Sequence, residues 1–202
     1  MATALEARHQ SLADFLAWER LQPGRYERLD GVVRMMTGGT IDHNRIIRNV
    51  SEALARGLQG GECEVFTSDV KVMSPTGDVM YPDVVVACGP IPGKATEIEA
   101  PTIVVEVLSP STAERDQGRK RWAYWSIPSL RHYVLIDQDQ PIVEIASPDP
   151  EGSWRSVIHR GLDARLRLDA LGVEIGLKEV FPRVAFALAS PVNEAEAPVQ
   201  SE

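Results

Sequence analysis

Two lone acids set in apolar runs are the residues best placed to do chemistry. Glu106 stands inside Thr102-Ile103-Val104-Val105-Glu106-Val107-Leu108, a run with the Val/Ile content of a strand buried on both faces. A carboxylate there loses its hydration, at a cost of several kcal/mol unless it is paired or bound to a metal. Asp83 opens a second such run, Tyr81-Pro82-Asp83-Val84-Val85-Val86. Taken singly, Glu106 reads as well as half of a structural ion pair, and Asp83 as a Pro-Asp exit from a loop. Taken together, two acids on neighbouring strands can project into one small volume. Like charges held that close need a cation between them, which is how an oxygen-ligand Mg²⁺ or Mn²⁺ site is built.

A third feature follows Glu106. Ser111-Thr112-Ala113-Glu114 matches a capping box, predicting a helix that runs to about Ser126 and stops at Pro128. Asp116, Lys120 and Tyr124 are spaced by four and share one face of it. Residues 111–131 hold five bases (Arg115, Arg119, Lys120, Arg121, Arg131) against two acids, in a chain whose net charge is −8. A local positive field beside an acid pair is what a phosphodiester site needs; a solvated helix face with an Asp–Lys pair is the plainer alternative.

The elements that must position these residues are read from apolar period and turn chemistry. Residues 11–20 predict a helix capped by Ser11. Asp30-Gly31 between Tyr26–Leu29 and Val32–Met36 predicts a hairpin. Ile46, Ile47, Val50, Leu54 and Leu58 predict an amphipathic helix over 41–58. Strands are expected over 63–73, 81–87, 102–108, 132–137, 142–146, 153–159 and 165–168, with a last helical turn at Leu177–Phe181. The order predicts an α/β (α+β) protein: a central mixed β-sheet flanked by helices. No G-x-G-x-x-G joins a strand to a helix, which argues against a dinucleotide fold.

Length and composition bound the rest. The chain of 202 residues, 44% apolar and 25% charged, suits one globular domain. We expect an N-terminal extension over 1–10, one domain over 11–189 and a disordered acidic tail over 190–202. Cys63 and Cys88 are too few for a disulfide scaffold or a cysteine zinc site, so both are expected as buried thiols in a reducing compartment. With no signal-peptide pattern and no membrane-length apolar run, a soluble cytoplasmic protein is expected.

The ordered motifs also resemble a known family. Tyr81-Pro82-Asp83-Val84-Val85-Val86, Pro101 through Thr112, then Asp116, Lys120 and Tyr124, and Tyr133-Val134-Leu135-Ile136-Asp137 look like the Uma-two family, bacterial proteins described as "putative restriction endonucleases". Tyr26-Glu27-Arg28-Leu29-Asp30-Gly31 and the helix carrying His43 resemble its amino-terminal pattern. The resemblance implies a restriction-endonuclease-like core with a PD-(D/E)xK centre. Asp83 matches the Asp of the PD motif and Glu106 the acid of the second motif. Leu108 stands where that motif has Lys, and the resemblance implies that the lysine has moved to Lys120.

On this reading Asp83, Glu106 and the backbone carbonyl of Val107 bind Mg²⁺ or Mn²⁺. Lys120 acts beside them, and Glu27, His43, Asp116 and Tyr124 are accessory candidates, each with a plain solvent-facing or packing alternative. The implied activity is metal-dependent endonucleolytic hydrolysis of DNA, and a homodimer is expected by analogy with nucleases that cut both strands. The competing expectation is a catalytically inactive nuclease-fold module that binds nucleic acid or a protein partner. The net charge of −8 favours caution, since phosphate contacts need clustered Lys and Arg. A small-molecule metal hydrolase finds little support, for no H-E-x-x-H occurs among the four histidines.

Overall fold

In the computed structural model, residues 11–36, 38–109 and 118–186 are described. The predicted capping box at Ser111–Glu114, Asp116 and the acidic tail lie outside these residues. Helix α1 (Leu12–Glu19) starts where Ser11 accepts a hydrogen bond from the Asp14 amide. Strands β1 (Tyr26–Leu29) and β2 (Val32–Met35) form the expected hairpin. Its two turn residues, Asp30 and Gly31, both take positive φ (52° and 75°), the left-handed pair that a two-residue hairpin requires. Helix α2 (Ile41–Gly57) is capped by Thr40, which accepts from the His43 amide, and buries Ile46, Ile47, Val50 and Leu54 along one stripe.

The expected strand over 63–73 is in fact two. β3 (Cys63–Thr67) and β4 (Lys71–Met73) belong to different sheets. Ser68, at φ 44°, turns the chain between them without any glycine to mark the corner in the sequence. The run around Asp83 divides likewise. β5 (Val79–Met80) joins the sheet of β4, whereas β6 (Val84–Cys88) joins that of β3, so Tyr81-Pro82-Asp83 bridges the two sheets.

After β7 (Glu97–Ile98) come β8 (Pro101–Leu108), helix α3 (Arg119–Trp125) and β9 (His132–Asp137). Then follow β10 (Ile142–Pro148), β11 (Trp154–Arg160), β12 (Arg165–Leu168), β13 (Val173–Gly176) and the short helix α4 (Leu177–Val180). The larger sheet has the order β11-β10-β9-β8-β6-β3, mixed because β8 and β9 run parallel. The second is β2-β1-β5-β4-β7, and β12 pairs with β13.

Alternation along β8 explains how one strand serves two cores. Ile103, Val105 and Val107 point into the core shared with α2, β12, β13 and α4. Val104 and Leu108 point into the opposite core, built with α3 and with Leu29, Val72 and Met80 of the second sheet. A third, smaller cluster of Phe15, Tyr26, Val33 and Val79 seats α1 on that second sheet. The α+β expectation, a central mixed sheet flanked by helices, therefore holds.

The cysteine expectation does not. Cys63 and Cys88 stand opposite one another in the β3–β6 ladder and form a disulfide, and Cys88 is exposed rather than buried. Antiparallel register, invisible in the sequence, brings them together; the two cysteines therefore lend no support to a reducing compartment. No described helix is long and apolar enough to cross a membrane.

Candidate active site

The same alternation aims the two acids. Val85 and Ala87 of β6 point into the α3-side core, so Asp83, two positions before Val85, lies on that face of the strand's extension. Glu106 lies between Val104 and Leu108 on the same face of β8. Val84 pairs with Val105 in the antiparallel ladder, which sets Asp83 across from Glu106 one step further on. A direct contact ties them: the Val107 amide donates to Asp83 Oδ2 at 2.7 Å. Within a strand a residue's N–H and C=O point the same way, so the Val107 carbonyl also faces Asp83. The neighbouring Leu108 carbonyl faces the other side, where it accepts from the Gln138 amide.

Lys120 reaches this face from α3. Its Nζ lies 2.8 Å from Glu106 Oε1 and 2.8 Å from Glu27 Oε1, which projects from β1. Tyr124, one helical turn on, donates its hydroxyl to the same Glu106 Oε1 at 2.9 Å. Glu27, Glu106 and Lys120 are each 3% exposed or less. Burial, and then the Glu106 carboxylate, push the Tyr124 hydroxyl well above its ordinary pKa, so it stays protonated and acts as a donor.

The polar network runs further. The Tyr81 amide donates to Glu27 Oε1 at 3.2 Å, the Tyr81 hydroxyl donates to Glu19, and Glu19 pairs with Lys71 at 2.7 Å. Buried polar groups thus link α1, the second sheet, α3 and β8, as interior polar atoms require.

Asp83 and His43 form the solvent side of the site, each with a side chain about one-sixth exposed. His43 Nε2 lies 3.3 Å from Asp83 Oδ1, while His43 Nδ1 is buried without a hydrogen-bond partner among the described residues. Helix α2 delivers His43 because Thr40 fixes its first turn. Gly39 makes room: a Cβ there would stand 2.5 Å from His43 Cδ2 and 2.8 Å from Cγ. Gly39 is a positioning residue that the sequence reading missed; the only signal was its place just before the helix cap.

Four of the predicted side chains (Glu27, Glu106, Lys120 and Tyr124) therefore meet in one buried cluster, and Asp83 adjoins it through the Val107 amide with His43 at its other oxygen. Among the described residues, three consecutive bases of the helix diverge. Arg119 pairs with Asp30 in solvent, Arg121 pairs with Glu144 at 2.8 Å, and Lys120 turns inward.

The donor set suits a hard divalent ion. It offers two carboxylates and a backbone carbonyl, all oxygen. No group of three His, Cys, Asp or Glu residues gathers into a ready cage among the described residues.

A central mixed sheet flanked by helices makes this an α+β protein. The chain belongs to the Uma2 family, whose description is "Putative restriction endonuclease" and whose model matches residues 12–178. It is 33% identical over 175 residues to "Uncharacterized protein slr1290" of Synechocystis sp., covering 86% of this chain and 92% of that one. It is 32% identical over 130 residues to "Uncharacterized protein sll1609" of the same organism, covering 62% and 73%. The fold matches that of "a putative nuclease belonging to DUF820" from Anabaena variabilis with a TM-score of 0.70 at 16% identity, covering 85% of this chain and 97% of that one.

Proposed function

We propose that this protein is a divalent-metal-dependent endonuclease that hydrolyses DNA phosphodiester bonds in the cytoplasm. The observation that carries the proposal is the contact of Asp83 with the Val107 amide, which sets its carboxylate against the residue after Glu106. Asp83, Glu106 and the Val107 carbonyl would hold Mg²⁺ or Mn²⁺. That ion supplies a bound water of lowered pKa and neutralises charge in phosphoryl transfer.

The chain's own residues do the rest. Lys120, held between Glu27 and Glu106, would supply positive charge beside the negative charge developing on the phosphate. Tyr124 and Lys120 fix the rotamer of Glu106 by bonding one of its oxygens. With its N–H on Nε2, His43 donates to Asp83 Oδ1 and fixes the orientation of that carboxylate. Asp116, outside the described residues, stays an accessory candidate from its helical spacing alone.

A second reading has its own observation. Glu106 and Lys120 are nearly sealed from solvent and bonded to each other, as in a structural ion pair. On that reading the protein is an inactive nuclease-fold module.

Supercoiled plasmid with Mg²⁺ or Mn²⁺ separates the two. The nuclease nicks or linearises it, and Asp83→Asn and Glu106→Gln abolish cutting while keeping the wild-type circular dichroism. Mg²⁺ or Mn²⁺ also raises the wild-type melting temperature, since a ligand bound only by the native state must do so. Absence of both cleavage and a metal-induced shift defeats the nuclease reading.

A further inference from the structure

An open cavity of about 670 Å³ lies between the β1–β2 hairpin and α3, within the roughly 300–1,000 Å³ of small-ligand sites. It adjoins the candidate active site through two shared elements. β1 turns Glu27 toward Lys120, and the next residue, Arg28, lines the cavity. α3 turns Lys120 inward, while Arg119 and Trp122 line the cavity. Nothing in the proposed chemistry uses this space.

Trp122 is its most informative wall. Tryptophan is on average a well-buried residue, yet this one is 68% exposed. It is also braced. Its ring lies 5.1 Å from that of Trp125 at 74°, and Trp125 stacks flat on Trp154 at 5.0 Å. Three of the chain's four tryptophans thus form one ladder whose outer member meets solvent. A ring held this way offers contact area at little cost in rotamer entropy.

The rest of the lining suits a flat, uncharged ligand with a polar rim. Leu29 and Ala123, both buried, contribute apolar surface. Among the described residues the charged walls cancel, Arg28 and Arg119 against Asp30 and Asp78. Arg119 donates to Asp30 at 2.8 Å, and Arg28 donates to the Gly77 carbonyl at 2.7 Å. A lone phosphate gains little from so balanced a rim. A nucleobase has apolar faces, donors and acceptors along its edge, and no charge.

We propose that this cavity is a subsite for an unpaired nucleobase, with Trp122 as its stacking platform. Inside a duplex the faces of a base are covered by its neighbours, so the occupant belongs to a single strand or is extruded from a duplex. Taking the ligand to be nucleic acid rests on the nuclease reading; the subsite itself needs neither metal nor cleavage.

Binding to the full chain is measured in EDTA, where no metal-dependent cutting occurs, by fluorescence anisotropy. The probes are a labelled oligothymidylate, its abasic counterpart of equal length and charge, and a duplex of that length. The wild type binds the oligothymidylate about fivefold or more tighter than the abasic strand, and tighter than the duplex. Trp122→Ala weakens oligothymidylate binding by a similar factor, leaves abasic binding unchanged and keeps the wild-type circular dichroism. Trp122→Phe retains most of the preference for the base. A wild type that binds neither strand, or both alike, overturns the proposal. So does a Trp122→Ala protein that still prefers the base. Plasmid cleavage with equal binding of both strands sinks the subsite and leaves the nuclease; base preference without cleavage keeps the subsite and sinks the nuclease.

Discussion

Replacing Lys120 with methionine asks most directly what the buried cluster is. The side chain is almost fully enclosed, and its ammonium touches Glu27 and Glu106 at 2.8 Å each. Methionine fills similar space, so packing is largely kept. The change is then electrostatic: two enclosed carboxylates lose the ammonium that contacts both. Breaking a buried pair by removing one partner costs about 3–5 kcal/mol, because a charge is left in a poor solvent. For a chain of this size each kcal/mol lowers the melting temperature by roughly 2–4 °C, which predicts a fall of about 6–20 °C. Adding Glu27→Gln to Lys120→Met removes one of the stranded charges and recovers part of the loss. The assay is thermal unfolding followed by circular dichroism, beside urea titration to obtain the free energy. A loss under about 1 kcal/mol, the size of a surface pair, refutes the argument that this lysine is an enclosed bridge. So does a double variant less stable than Lys120→Met alone.

Three further outcomes are expected. Gly39→Ala pushes the His43 ring off Asp83, since the new methyl would overlap Cδ2 and Cγ; metal-dependent cleavage falls at least tenfold (about 1.4 kcal/mol), with little change in melting temperature, and an unchanged rate removes His43 from the site. His132 is buried, bonds Ser147 through Nδ1 and accepts the Ala170 amide at Nε2, and burial lowers its pKa below the usual 6.5. The unfolded chain therefore takes up the proton first, so this residue's stabilisation is present above about pH 6.5 and is lost as pH falls toward its folded value; urea titrations at about pH 7 and about pH 5.5 show a drop that His132→Asn flattens. Reducing the Cys63–Cys88 bond, which spans 25 residues of sequence, releases a loop worth about 3–4 kcal/mol of unfolded-state entropy; dithiothreitol lowers the melting temperature of the wild type but not of the Cys63→Ser, Cys88→Ser variant, and equal melting with and without reductant refutes the pairing.

Much of this protein was legible in its sequence because the signals are local. Asp30-Gly31 dictates a hairpin through its backbone conformation alone, and the spacing of Ile46, Val50 and Leu54 dictates the face that α2 buries. An acid inside a Val/Ile run is costly wherever the strand ends up, so Glu106 declared itself before any partner was known. Tertiary structure decided what answers that cost. Glu27 reaches Lys120 only because the small sheet packs against α3, and nothing near residue 27 encodes that approach. The corner at Ser68 and the facing of Cys63 with Cys88 follow from which strand joins which sheet and in what register. Such contacts depend on closing long loops and on the combined packing of distant segments, and a one-dimensional pattern carries residue types and periods but not the distances between segments far apart in the chain.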